Sequence, residues 1–492
     1  MNAPGKGLDA RESNPLLLSV DRPDLSARRT TTVPQRIVFI AGFAVLMALL
    51  WLIPDQTVGA LILVVTIFYI AFSVYKLVLI YFSIASHAEM RVTAEDLAAL
   101  NDEELPVYSV LVPLYQEQES VEHLVAALKR MDYPKEKLDV QLLVEEDDDQ
   151  TREAISRLFL PTGFKVTLVP PSEPRTKPKA CNIGLQYALG PYLVIYDAED
   201  RPERDQLKKA VVAFGRAESK VICLQSKLNF YNPRQNRLTR WFTAEYSSWF
   251  DLCLPGLSAV HSVIPLGGTS NHFITEKLRE LMGWDAFNVT EDCDLGVRIC
   301  RAGYSTRMLD TTTWEEACSS FGFWIRQRTR WLKGYMQTYL VHMRNPVKLV
   351  RELGFVNFLH FQALVGGIVV CFLVNPLFWG MAAIWFTTRS ELLAHLFPGF
   401  VFLLSALCLF IGNFAFVYAS MLGCYRRRYY DLIVDALFSP IYWVLMSAGG
   451  WRALFQIVVD PYRWEKTRHG LWKGPQSTGE HSAGDGSPVD PQ

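Results

Sequence analysis

The sequence predicts an α/β domain with a doubly wound, mainly parallel sheet, inserted between N- and C-terminal transmembrane helices. Three observations predict it: uncharged apolar stretches near both ends of the chain, short apolar runs alternating with helically periodic segments in the middle, and carboxylates gathered where those runs stop. A composition of 50% hydrophobic and 20% charged residues over 492 positions excludes a disordered or fibrous chain. Forty-nine basic against fifty acidic side chains leave a formal charge of -1, which excludes the strong positive field of a general nucleic-acid binder. The nine cysteines are scattered, without C-x-x-C or zinc-ligand spacing, and read as reduced thiols.

Taken in order, residues 1–35 are rich in Pro, Ser and Arg and are expected to form a disordered tail. Residues 37–54 and 56–75 carry no internal charge and are each long enough to cross hydrocarbon, giving two transmembrane helices within 36–83 and a linker at 84–105. A cleaved signal peptide is not expected, because the first run starts late and a second follows without a small-residue cleavage site. In the middle, 106–340, the runs 107–113 (VYSVLVP), 140–145 (VQLLVE), 165–169 and 193–197 (LVIYD) read as strands, and 120–130, 152–158 and 180–189 as helices between them. Such alternation implies a parallel sheet whose ligands bind beyond the carboxyl ends of the strands.

Interfacial helices are expected at 341–360 and a C-terminal transmembrane region at 361–458, with spans near 361–386 and 397–422. A shorter stretch, 436–451, is interrupted by Pro440 and Gly449-Gly450. Basic clusters at Arg28/Arg29, 344–351, Arg426 to Arg428 and Lys466/Arg468 place their loops in the cytoplasm by the positive-inside tendency. That bias favours a re-entrant or interfacial last stretch, followed by a cytosolic loop at 459–474 and a polar, disordered tail at 475–492. The expected location is a bacterial-type inner (plasma) membrane, multi-pass, with the middle domain cytoplasmic.

The strand ends carry the chemistry. Five acids in a row, Glu145 to Asp149, cannot all be buried, since packed like charges repel and desolvated carboxylates need partners. Asp197-Ala198-Glu199-Asp200 puts hard oxygen ligands on one tight turn, which suits Mg²⁺ or Mn²⁺ holding a diphosphate. Just upstream, Lys177 and Lys179 offer charge to phosphate, and Asn182 a hydrogen bond to a sugar or ribose. Asp292, in Thr290-Glu291-Asp292, is the candidate general base. Asn288-Val289-Thr290 is a formal glycosylation sequon, discounted because the domain reads as cytosolic. In Gln327-Arg328-Thr329-Arg330-Trp331 an arginine fork suits diphosphate and an indole face suits a sugar ring, although the pattern also fits an amphipathic interfacial helix.

In their order along the chain, V-P-L-Y-Q-E (112–117), the acidic turn, K-A-C-N (179–182), D-A-E-D (197–200), G-G-T-S-N (267–271), T-E-D (290–292) and Q-R-T-R-W (327–331) resemble the membrane-bound family-two inverting glycosyltransferases, which include cellulose, curdlan, hyaluronan and chitin synthases. The similarity covers about 105–340 and the flanking membrane segments. It implies a GT-A fold with Tyr115 and Glu117 beside uracil and Glu146 or Asp147 nearby. It implies Asp197 at the metal and diphosphate, with Glu199 or Asp200 sharing that task. Asp292 would be the base, with Glu291 beside it. Arg330 would face the diphosphate, and Trp331 the acceptor sugar together with Gln327, Gly268 and Thr269. Where the family has D-D-G this chain has E-E-D-D-D, so the uracil-side carboxylate stays open among Glu145, Glu146 and Asp147. The metal pair stays open between Glu199 and Asp200. Near the C-terminus Trp464, Lys466, Thr467 and Arg468 resemble a W-G-T-R or W-G-T-K segment that closes over the nucleotide, with Glu465 in place of the glycine.

The function expected on these grounds is processive, inverting transfer from a UDP-sugar, UDP-glucose first, extending a β-linked polysaccharide and moving it through the membrane. Its partners are the donor, a growing glycan or lipid acceptor and the bilayer; accessory secretion proteins are not readable. The competing readings are a non-processive enzyme acting on a lipid, and a transporter or sensor that binds UDP-sugar without turnover.

Overall fold

A computed structural model of the protein describes residues 14–86, 88–389 and 399–462. Nine strands form one sheet: β1 (Glu89–Met90), β2 (Tyr108–Leu114), β3 (Leu138–Glu145), β4 (Phe164–Val169), β5 (Tyr192–Ile195), β6 (Arg201–Pro202), β7 (Val221–Phe230), β8 (Asn271–Ile274) and β9 (Ser305–Glu315). Their order is β1-β9-β7-β8-β5-β2-β3-β4, with β6 paired to β9. The four runs expected as strands are β2 to β5. Val110 of β2 lies opposite Val140 of β3 on one side and Val194 of β5 on the other, all parallel. The chain steps outward through β3 and β4, then returns to the far side of β2 as β5. Strand order therefore reverses between β2 and β5, and a crevice opens beyond their carboxyl ends. β8 runs antiparallel between β5 and β7, so the sheet is mixed, mainly parallel rather than wholly so.

The alternation of side chains along each strand builds two cores. Val110, Val112, Val140, Leu142 and Val194 point to one face, and Leu111, Leu143, Leu193 and Ile195 to the other. The second core is shared with the long apolar helices that flank the domain through Leu79, Leu364, Tyr442 and Met446.

Helices are numbered α1 (Leu17–Asp21), α2 (Val33–Leu52), α3 (Pro54–Ala85), α4 (Asp149–Ser156), α5 (Lys177–Tyr187), α6 (Arg237–Ser248), α7 (Glu291–Arg301), α8 (Phe321–His342), α9 (Phe355–Thr388), α10 (Asn413–Arg426) and α11 (Ser439–Val459). Among the described residues α2, α3 and α9 are long and apolar enough to cross a membrane, and α11 with Tyr430–Ala436 forms a fourth candidate bent by 63°. Their outer faces leave large apolar side chains exposed, such as Ile40, Phe43 and Trp51 on α2.

Three expectations need correction. The N-terminal segment from Asn14 is not a disordered tail. The buried Asp285 carboxylate requires hydrogen-bond donors, and it takes them from the Ser26 hydroxyl (2.8 Å) and the Ala27 N–H (2.5 Å). Arg344 donates to the Pro23 and Asp24 carbonyls (2.8 and 2.9 Å), pinning the same segment. The stretch 436–451 is not broken at Pro440 or Gly449-Gly450. Pro440 sits in the first turn of α11, where its missing N–H costs nothing, and the helix continues through both glycines. Finally, α5 starts at Lys177 rather than at residue 180, so both lysines lie on its first turn.

Candidate active site

The carboxyl edge of the sheet delivers the polar side chains. After β2 the chain turns sharply at Gln116, whose φ of 53° is the left-handed conformation. Asp148 holds that turn: it accepts the Gln116 N–H (2.5 Å) and caps α4 through the Thr151 N–H (3.2 Å). Glu117 donates its N–H to the Thr151 hydroxyl (3.0 Å). Of the five acids, Glu145 and Asp148 are buried, and Glu146, Asp147 and Asp149 are exposed. Asp147 pairs with Arg175 at 2.8 Å, and Arg175 also bonds Tyr115, so Tyr115, Asp147 and Arg175 form one exposed polar cluster above β2 and β3. The sequence reading did not single out Arg175.

Lys179 and Asn182 go elsewhere than expected. The Lys179 side chain is wholly buried and donates to Glu145 (3.3 Å) and to the Pro170 and Ser172 carbonyls (3.2 Å each). A buried ammonium needs that full set of acceptors, and none of it faces the cleft. Asn182 donates to the Pro15 and Trp284 carbonyls and accepts the Trp284 N–H, tying α5 to the N-terminal segment. The lysine that reaches the cleft is Lys177, which pairs with Asp197 and donates to the Gly268 carbonyl at 2.7 Å. Its helix is seated by Gly184, where an added Cβ would come within 2.9 Å of Leu111 and Leu143.

After β5 the D-A-E-D turn divides its acids. Asp200 faces inward: it is 1% exposed and accepts the Asp197 N–H (2.8 Å) and the Thr269 hydroxyl. It shapes the turn and does not line the cleft, as the expectation of Asp200 as a metal ligand required. Asp197 and Glu199 line it. Thr269 is likewise buried, bonded to Asp200 and to the Ile195 carbonyl (3.0 Å), although it touches the cavity edge. Gly267 and Gly268 bring the loop before β8 close to the base candidate; an added Cβ on Gly268 would lie 3.4 Å from Asp292 Oδ2.

Asp292 opens α7. Its Oδ1 accepts the Cys293 N–H at 2.7 Å, and burial pushes its carboxyl up to about 6 while Lys177 and Arg330 pull it back. Burial, reinforced by Asp292, pushes Glu291 up to about 7, and burial with Asp197 beside it pushes Glu199 up to about 8. Asn288 of the sequon is 1% exposed, its side chain bonded to Thr338 (2.9 Å) and the Thr290 N–H (3.0 Å).

On α8 the Q-R-T-R-W residues split by role. Arg328 is buried and clamped by Glu245, and by the Tyr442 hydroxyl at 2.8 Å, with its guanidinium 4.6 Å from the Trp331 ring centroid and 4.2 Å from that of Phe242. That clamp sets the indole. Gln327, Arg330 and Trp331 line the cleft.

Asp197, Glu199, Lys177, Asp292, Arg330 and Trp331 thus share one cavity of about 980 Å³, which continues between α3, α9, α10 and α11 as far as Tyr69, Asn375 and Ser405. Tyr115, Glu117, Glu146 and Asp147 lie outside its wall. Trp464, Lys466, Thr467 and Arg468 fall outside the described residues, which reach Tyr462.

The sequence profile described as "Glycosyltransferase like family 2" matches residues 106–334. Curated relatives include a probable glycosyltransferase, YdaM, of Bacillus subtilis (27% identical over 255 residues, 51% of this chain and 60% of that protein). Another is a probable glucomannan 4-beta-mannosyltransferase 7 of Oryza sativa subsp. japonica (28% over 262 residues, 50% and 44%). The chain therefore spans only about half the length of these relatives. Among solved structures, the mannosyltransferase PcManGT from Pyrobaculum calidifontis, in complex with GDP-Man and Mn²⁺, aligns with 80% of this chain and 99% of its own at 18% identity and a TM-score of 0.43. With the mainly parallel sheet and its order of motifs, the profile match makes residues 106–334 a glycosyltransferase domain of family 2.

Proposed function

We propose that this protein is a membrane-embedded, inverting glycosyltransferase that transfers hexose from a nucleotide sugar to a growing β-linked glycan and passes the product into its own membrane cavity. The observation that carries the reading is continuity: the acids and arginine of the strand ends open into the same cavity that runs between the membrane helices.

In this reading the acceptor hydroxyl lies on the Trp331 face, and the Asp292 carboxylate takes its proton as the oxygen attacks the anomeric carbon. Arg330 and Lys177 face the departing diphosphate and stabilise the negative charge that develops there. Attack opposite the leaving group turns an α-linked donor into a β-linked product, with no covalent intermediate. Asp197 and Glu199 would hold Mg²⁺ or Mn²⁺, which supplies charge neutralisation of the diphosphate when bound. The fit is chemical: two carboxylates on one turn, with phosphate and water completing the shell, match what these ions take, and no larger His, Cys, Asp and Glu cluster occurs among the described residues. Beyond Trp331 the cavity offers aromatic faces and neutral polar groups, including Tyr69 bonded to Asn375 and Thr66 to Ser405 (3.2 Å), a lining suited to sugar rings.

UDP-glucose is the first donor to test, and the glucomannan mannosyltransferase relatives add a mannosyl donor to the panel. Purified protein in nanodiscs, offered labelled UDP- and GDP-sugars with and without Mg²⁺ or Mn²⁺, is expected to yield a polymer cut by β-linkage-specific hydrolases. A product of one sugar removes processivity, and a product extracted into organic solvent supports a lipid acceptor instead. Donor binding without turnover in the wild type supports a transporter or sensor.

A further inference from the structure

Lys177 is placed where helix energetics disfavour it. It is the first residue of α5, an 11-residue helix, so its ammonium adds to the positive end of the helix dipole. What compensates is the wall of acids opposite. The side chain reaches across the cleft to the Asp197 carboxylate and the Gly268 carbonyl, with Glu291 next in its field. The charge that Asp197 would offer a divalent cation is therefore already neutralised by a tethered one.

We propose that Lys177 is a built-in counter-ion of the donor site: it occupies Asp197 in the unliganded enzyme and is exchanged for the divalent cation when a nucleoside diphosphate arrives and offers Lys177 a new anionic partner. This rests on the metal and diphosphate reading above. It has two consequences with opposite signs. Without nucleotide, Lys177 opposes the metal, because a divalent cation at Asp197 meets a like charge. With nucleotide, the same ammonium favours binding, because it pairs with phosphate oxygen. Metal and nucleotide then bind cooperatively, each raising the other's affinity by the same factor. The free cleft stays charge-balanced and does not trap metal unproductively.

The test uses full-length protein in nanodiscs, with Mn²⁺ binding read by electron paramagnetic resonance and UDP binding by calorimetry, neither of which needs turnover. Lys177→Met keeps the apolar stem and removes the charge, and Lys177→Arg keeps the charge. Lys177→Met is expected to bind Mn²⁺ about ten-fold more tightly than wild type without UDP, within the usual range of coupling. It is also expected to bind UDP more weakly without Mn²⁺ and to lose most of the UDP-induced gain in Mn²⁺ affinity. Lys177→Arg should keep the wild-type order. Mn²⁺ binding that Lys177→Met leaves unchanged or weakens overturns the counter-ion role while leaving the metal site standing. Mn²⁺ binding to neither protein, even with UDP, overturns the metal site and the counter-ion together.

Discussion

The contact between Gly334 and Thr290 joins the helix proposed to face the acceptor to the segment that carries the proposed base, and Gly334→Ala should uncouple them. Gly334 sits one turn beyond Arg330 and Trp331 on α8, and Thr290 immediately precedes Glu291 and Asp292. A Cβ on residue 334 would lie 2.7 Å from Thr290 Cβ and closer still to its Oγ1 and Cγ2, where ordinary contact begins at 3.4 Å. Thr290 is 5% exposed, so it has little room to retreat. The two elements must then separate by about 0.7 Å or more, counting the Cβ contact alone. Overpacking of this kind costs about 1–3 kcal/mol of stability. Because the displaced segment carries the base, a shift near 1 Å is expected to cost about 10²-fold in turnover. The assay is initial-rate transfer alongside UDP binding and thermal unfolding. Gly334→Ala should lose turnover with UDP affinity close to wild type. Adding Thr290→Ala, which deletes both atoms in closest contact, should recover a large part of the loss; the Thr290 hydroxyl has no hydrogen-bond partner to forfeit among the described residues. Wild-type turnover and stability in Gly334→Ala would refute the reasoning.

Other outcomes follow from the same site. Asp292→Asn should lower transfer by about 10²–10⁴-fold and leave UDP binding intact, since it removes the proton acceptor and not the leaving-group contacts. A base with a carboxyl near 6 must be ionised to work, so turnover should be full above that pH and fall as pH drops through it. Asp292 faces Glu291, Lys177, Arg330 and Tyr335, so Arg330→Gln should move that limb upward. Arg328→Met should cost about 2–3 kcal/mol in chemical denaturation, below the roughly 3–5 of a fully buried pair because Glu245 is one-third exposed, and should raise the acceptor KM by freeing Trp331. Ser26→Ala removes one of the two donors to Oδ1 of buried Asp285, leaving the Phe287 N–H at 3.2 Å, and limited proteolysis should then cut the segment before α2 faster than in wild type.

The legible part of the fold is the part with two-sided burial and plain patterning. β2 and the second half of β3 are largely apolar and buried, and the acids that follow β3 and β5 stand out against that background. β7 escaped notice because buried polar residues, Gln225, Ser226 and Asn229, interrupt its apolar run; the Gln225 amide donates to the Thr269 carbonyl and the Asn229 amide to the Ser247 hydroxyl. Among the acids, spacing alone cannot say which carboxylate turns inward. Asp200 is spent on the turn and Asp148 on a helix cap, which only the backbone geometry decides. Lys177 and Lys179 differ by two positions on one helix turn, so one faces the cleft and the other the protein interior, and an expected helix start at residue 180, three residues late, conceals the difference. The N-terminal segment was hidden for another reason: its composition is that of a disordered chain, and its order comes from Asp285 and Arg344, distant in sequence.

In the proposed reaction one cleft holds the leaving group against Asp197 and the attacking group against Asp292. A structure of the full chain in nanodiscs with UDP and Mn²⁺ tests it most directly. The account predicts manganese anomalous scattering or density bonded to Asp197 and Glu199, the diphosphate on the side of Arg330, and Asp292 facing the open end of the cavity toward Trp331. Nucleotide bound away from this cleft, or manganese held by residues other than Asp197 and Glu199, would contradict it.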